Sequence, residues 1–220
     1  MNIIATKLQD LDETPTKREQ IVDAACRLFL ENGYELTSMD AVAAEANVSK
    51  RTVYSHFQSK EMLFVDIMED MCQLFGEGAI DNLPFDAPPP EFLRSAGRFL
   101  LSKVTNPNLQ ALMRAIISQA MTFPEMGQKF WDTGPGTFNS VIGDYLRGQH
   151  AAGTLNAPEP ERSAGLFQGM VAGPFFFPMI FTGIGNQDAE RIESVVDAAV
   201  SLFLAGHKPS SRAVDLLVSK

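Results

Sequence analysis

Residues 47–60, NVSKRTVYSHFQSK, carry Lys50, Arg51 and Lys60 and no acidic side chain. The 220-residue chain as a whole has 18 Lys and Arg against 27 Asp and Glu, a net charge of −9, so this stretch is +3 and the remainder −12. Around the three cations stand the hydroxyls of Ser49, Thr52, Tyr54 and Ser55 and the imidazole of His56. Such a set of donors suits a polyanion. Each cation that neutralises a phosphate releases condensed counterions, and a guanidinium can bond a base edge in the major groove through two hydrogens. A carboxylate in the same stretch would be repelled by phosphate, which gives the absence of acids there its meaning.

Other chemistry finds little support. His56, His150 and His207 are the three histidines, and no pair has zinc-ligand spacing. Neither an H-E-x-x-H nor a G-x-S-x-G occurs. The glycines of GPG (134–136) and GIG (183–185) follow no strand pattern, so no phosphate-cradling loop is indicated. No enzyme, metal or cofactor is expected. Cys26 and Cys72 are far apart, which argues for reduced thiols and an intracellular, cytoplasmic protein rather than a disulfide framework. The N-terminus lacks the apolar core of a signal peptide. The longest apolar run, VAGPFFFPMIF (171–181), is too short to span a bilayer and holds two prolines, so no membrane is expected.

The elements that must position the island are helical. Hydrophobic residues recur at three- and four-residue steps, with no sustained alternation, no internal repeat and no low-complexity tract. Thr16-Lys17-Arg18-Glu19 reads as a capping box opening a first helix, whose inward stripe is Ile21, Ala24, Ala25, Leu28 and Phe29 and whose end is Gly33. Thr37 or Ser38 caps a second helix striped by Met39, Val42, Ala43 and Ala46. Asn47-Val48 makes a tight turn, and Asn tolerates positive φ. Ser49 caps a third helix through about His56, and Ser59 caps a longer fourth. Helices two and three form a helix-turn-helix, in which the second of the pair enters the major groove. Val48, Val53 and Phe57 then face Leu28, Phe29 and Val42, leaving Lys50, Arg51, Thr52, Tyr54, Ser55 and His56 on the remaining face.

Residues 18–68 closely resemble the DNA-binding domain of the TetR/AcrR transcriptional regulators, through the apolar first helix, "GY..T" and "A..A.VS..T.Y.HF.SKE". Asn47 stands where that family usually has Gly, and Arg51 at a position that is often Gly, which suggests an extra groove or phosphate contact. The resemblance implies that Thr37 and Ser38 hold phosphate, that Lys50, Arg51, Thr52 and Ser55 read base edges, and that Tyr54, His56 and Lys60 anchor the backbone. Ser49, at the head of the third helix, is counted with these contacts. Partners implied are an operator duplex, a second copy of the chain and a small-molecule effector. Repression is the commoner outcome in the family.

Beyond the proline-rich DNLPFDAPPPE (81–91) the pattern continues through segments near 92–104, 108–122, 124–132, 137–153, 160–182 and 188–205. That totals roughly nine or ten helices, an all-α fold. The expected layout is a flexible N-terminal arm (1–15), a helix-turn-helix domain (16–60), a helical ligand-binding and dimerisation domain (61–207) and a tail (208–220). The last two segments are apolar over more than one stripe and so must be buried on several sides. As in the family, they are expected to pair with their mates, with Phe175, Phe176, Met179, Val196, Val200 and Phe203 at the dimer interface. Met68, Cys72, Phe99, Met113, Phe123, Phe130, Trp131, Phe138, Phe167 and Met170 are candidates to line a cavity for an apolar or amphipathic molecule. For any one of them ordinary core packing competes. Ligand entry would move helix four as a lever. An alternative stays open: a DNA-binding or architectural protein with no ligand, controlled by a protein partner.

Overall fold

The computed structural model describes residues 15–67, 80–183, 185 and 188–209. Among them are α1 (Lys17–Asn32), α2 (Met39–Glu45), α3 (Lys50–His56), a helix α4 described over residues 60–67, α5 (Pro89–Val104), α6 (Pro107–Gln119), α7 (Pro124–Thr133), α8 (Pro135–Ala151), α9 (Pro160–Thr182) and α10 (Ala189–Gly206). No strand occurs among the described residues. The chain forms two compact units, Met1–Leu74 with Ala111–Phe130, and Phe75–Gln110 with Trp131–Lys220.

In the first unit α1 opens with the expected capping box: the Thr16 hydroxyl accepts the Glu19 amide at 3.3 Å, and the Glu19 carboxylate accepts the Thr16 amide at 2.7 Å. That bond from the Thr16 backbone, with its hydroxyl second, holds the Glu19 carboxyl below the usual carboxylate range. Gly33 stops the helix at φ 80°, ψ 167°, a conformation costly for a side-chain-bearing residue, and returns its amide to the Phe29 carbonyl. Beneath lie Ile21, Ala24, Val42, Val53, Leu63, Phe64 and Ile67, all buried. Phe64 packs edge-on to Phe29 with centroids 5.1 Å apart, and Tyr34 lies 4.6 Å from Phe64.

Residues 111–130 fold with the first unit. Two contacts account for this. Phe123 meets the Tyr34 ring at 6.1 Å, and the Gln119 side-chain amide donates to the Glu35 carboxylate at 3.2 Å.

The second unit is built on α5, α8, α9 and α10 around Phe92, Leu93, Leu101, Ile142, Leu146, Phe167, Val196, Val200 and Phe203. Helices α5 and α10 run antiparallel, tied by Arg94 to Asp197 at 2.7 Å and by a two-pronged Arg98–Glu193 pair at 2.7–3.0 Å. Gly97 lets α10 come close, since a Cβ there would lie 3.2 Å from Val196 Cγ1. Inside α9, Pro174 and Pro178 each lack the amide that would reach back four residues. Arg191 of α10 supplies the donor for the Pro174 carbonyl, at 3.2 Å, with its guanidinium over the Phe175 ring.

The residues expected at the dimer interface lie as follows. Phe175, Met179, Val196, Val200 and Phe203 are buried within the unit itself, and Phe176 is partly buried against the same core. A helix apolar around its girth has two sides to hide, and the side holding these residues is the inner one. The outward stripe is instead Leu166, Phe177 and Phe181 of α9 with Leu202 of α10, exposed by 58, 60, 83 and 67%.

The cavity candidates divide likewise. Phe138 and Phe167 are core: Phe138 stacks on Phe99 at 6.3 Å, and Phe167 sits edge-on to Phe203 at 5.4 Å. Met170 packs partly buried against that core, Met113 is buried in the first unit, and Phe123 and Phe130 are half-buried there. Trp131 is half exposed, lying against Gly136, where a Cβ would come within 2.9 Å of its carbonyl. Met68 and Cys72 lie outside the described residues.

Cys26 is buried, and desolvation pushes its thiol up to about 11 from 9.0. Burial likewise raises Tyr145, to about 12 from 10.0. The unfolded thiol ionises first, so its contribution is intact below pH 9 and is lost as pH rises towards 11. Urea midpoints measured between these limits should fall, with Cys26→Ala falling less than wild type by on the order of 2 kcal/mol at most. Parallel curves for the two proteins would contradict this.

Candidate nucleic-acid interface

The reader is α2, a four-residue turn and α3. The Ser38 hydroxyl accepts the Ala41 amide at 3.1 Å and the Ser49 hydroxyl accepts the Thr52 amide at 3.0 Å, so each helix starts where its cap stands. Between them Asn47 takes φ 52°, with its amide on the Ala44 carbonyl and that of Val48 on the Ala43 carbonyl. This left-handed corner, open to Asn at small cost, sets the angle of α3. Val53 and Phe57 are buried beneath, which turns Lys50, Arg51, Tyr54, Ser55 and His56 outward, with Thr52 half-buried. The Thr52 and Ser49 hydroxyls lie 2.7 Å apart, and Ser55 donates to the Thr52 carbonyl at 2.7 Å.

The charges are disposed less simply than the island suggests. Over residues 15–67 six Lys and Arg stand against eight Asp and Glu. Arg18 pairs with Asp66 and lies over the Phe57 ring, while Arg27 pairs with Asp23 and Glu45. Lys50 is paired too: its ammonium is 2.7 and 3.0 Å from the two carboxylate oxygens of Asp40, both side chains being exposed. Asp40, first seen as a residue of the second helix, was the missed member of this surface. It lies outside 47–60, and a helical turn brings it back. Arg51 has no hydrogen-bond or ion-pair partner among the described residues and is exposed. It is the reader's uncommitted cation.

Two expected phosphate ligands are engaged within the protein. Thr37 is buried, and its hydroxyl proton is shared between the Leu28 carbonyl at 3.1 Å and the Gly33 carbonyl at 2.9 Å. Lys60 is half-buried: its ammonium donates to the Tyr34 carbonyl at 2.9 Å and the Glu35 carbonyl at 3.4 Å, above the Tyr34 ring at 4.2 Å. Both side chains fasten the bend between α1 and α2. Ser38 keeps its exposed place at the head of α2.

Comparison with known proteins agrees with this geometry. Residues 21–67 match the family model for bacterial regulatory proteins of the tetR family, and residues 91–209 match that of the AefR-like transcriptional repressor C-terminal domain. The chain is 32% identical over 120 residues to the HTH-type transcriptional regulator AcrR of Shigella flexneri, covering 54% of each. It spans about half the length of the curated relatives it matches. Among solved structures it is similar to the flavonoid-responsive regulator FrrA, at 31% identity and TM-score 0.71, covering 88% of this chain and 97% of that one. A TetR family transcriptional regulator from Pseudomonas syringae pv. tomato str. DC3000 matches at 27% identity and TM-score 0.68, covering 89% and 99%.

Thr37→Val keeps the shape of the side chain and removes the hydroxyl donor from two carbonyls, so it should cost about 1–3 kcal/mol in urea unfolding. Thr37→Ser, which keeps the hydroxyl, should recover most of that. Equal stability of the two variants would mean the hydroxyl is not what holds the bend.

Proposed function

Since this chain belongs to the TetR family of transcriptional regulators, we propose that it acts in the cytoplasm as a repressor, binding a palindromic operator as a homodimer and leaving it when a small apolar or amphipathic molecule binds. The observation that carries this reading is α3 itself: a capped helix, set by the Asn47 corner and seated on Val53 and Phe57, presents Arg51, Tyr54, Ser55 and His56 outward. Arg51 is the strongest candidate for a base edge, through its two-pronged guanidinium. Lys50, Ser49, Thr52 and Ser38 support it. Repression is favoured by the AefR-like repressor model that covers residues 91–209.

The outward stripe Leu166, Phe177, Phe181 and Leu202 supports pairing with a second copy. Among the described helices α9 alone is long and apolar enough to cross a bilayer by composition. Its inner side is spent on the core of its own unit, and its outer side is the kind of patch a monomer rarely leaves in water. Two readers related by a two-fold axis bind a palindrome with half-sites about one helical turn, or a multiple, apart.

For the effector, the flavonoid-responsive relative makes flavonoids the first class to test. Coupling from the effector to the reader would run through the first unit, where Phe123 and Gln119 touch Tyr34 and Glu35 beside the bend that orients α2. Such coupling must be reciprocal between the two ligands. The lever expected of α4 falls largely on residues outside those described.

Binding selection from random duplexes should return an inverted repeat, and Arg51→Ala should cost about 1–3 kcal/mol on that duplex and relax its preference at one position of each half-site. Leu202→Glu should convert a sedimenting dimer to monomer and abolish that binding. A monomeric wild type, or one with no preference among duplexes at low salt, would refute the reading. Effector titrations that give the same affinity with and without the selected duplex would remove the ligand-responsive part alone.

A further inference from the structure

We propose that Asp40 is a specificity residue of this interface: it holds the Lys50 ammonium in the free protein and withholds that cation from duplexes that offer no well-placed acceptor. The proposal rests on the DNA-binding reading above and assigns a role to an acid rather than to another base.

Asp40 stands in the first turn of α2 and Lys50 begins α3, and the Asn47 corner folds the ten intervening residues back so that both carboxylate oxygens reach Nζ, at 2.7 and 3.0 Å. Both partners are well exposed, by 59 and 64% of their side chains, so the pair is exchangeable rather than buried. The bond from Asp40 also raises the Lys50 pKa, keeping the ammonium charged while held. Of the other cations over residues 15–67, Arg18 and Arg27 are engaged by Asp66, Asp23 and Glu45, Lys60 by two carbonyls and Lys17 by the Gln20 side chain, which leaves Arg51.

A duplex approaching α3 therefore meets one uncommitted guanidinium and one neutralised lysine. On an arbitrary sequence, a phosphate must compete with Asp40 for Lys50 while the carboxylate stays close and repels it. Where a guanine edge or a phosphate lies in the line of the ammonium, the carboxylate is exchanged for that acceptor and the cation counts. An element that lowers affinity for the wrong partner more than for the right one raises specificity without adding a contact. Asp40 so placed subtracts mainly from the sequence-independent, salt-dependent part of binding.

The test is fluorescence anisotropy with wild type, Asp40→Asn, Lys50→Ala and the double variant, on a random-sequence duplex and on the duplex recovered by selection, across about 50–200 mM salt. Asp40→Asn should tighten binding to the random duplex by about three- to tenfold and steepen its salt slope by about one unit, with a smaller gain on the selected duplex. In the Lys50→Ala background the same change should yield much less. An equal gain on both duplexes, or an undiminished gain without Lys50, would reduce Asp40 to general repulsion and overturn the proposal, as would no gain at all. A wild type that binds neither duplex at low salt would overturn the DNA-binding reading beneath it. Matching thermal melts of the four proteins confirm that fold is not the variable.

Discussion

Four backbone carbonyls, from the last turns of α1 to the bend before α2, accept from two side chains. Thr37 serves those of Leu28 and Gly33, and Lys60 serves those of Tyr34 and Glu35. A carbonyl shielded from water and left unpaired is costly, so this polar clasp is a condition for the bend. The bend in turn sets where α2 begins, α2 sets the Asn47 corner, and the corner aims α3. Residues that look from their type like nucleic-acid ligands are thus also part of the scaffold that places α2.

The electrostatics follow the same logic. With more acids than bases over residues 15–67, this part of the chain does not attract DNA by its overall charge; it depends on where each cation is left after its neighbours have claimed it. Three of these cations are claimed by carboxylates and a fourth by carbonyls. Exposed ion pairs of this kind contribute little to stability, so their arrangement bears on recognition more than on folding.

What could be read from the sequence was local. The capping box at Thr16, the caps at Ser38 and Ser49, the positive φ at Asn47 and the burial of Val53 and Phe57 all follow from spacings of a few residues. The contacts of Lys60 are not legible in the sequence, because its acceptors lie 25 and 26 residues upstream, and a lysine beside a helix start looks the same whether it faces a phosphate or a carbonyl. Asp40 was missed for a similar reason. In α9 and α10 the apolar girth was visible, but spacing alone does not say which of two greasy sides meets its own chain. Phe175 and Phe177 differ by two residues and sit on opposite sides of that choice. The joining of residues 111–130 to the first unit hangs on Phe123 meeting Tyr34, a contact no periodicity records.

The prolines of α9 carry one more consequence. Because Pro178 leaves the Pro174 carbonyl to be satisfied by Arg191, the hydrogen-bond ladder of one helix is completed by a side chain of the next. The far turns of α9 are therefore no sturdier than the seating of α10 against them. Loosening α10 would strip a partner from an already interrupted spine, and the pair should open as a single cooperative hairpin rather than fray one at a time.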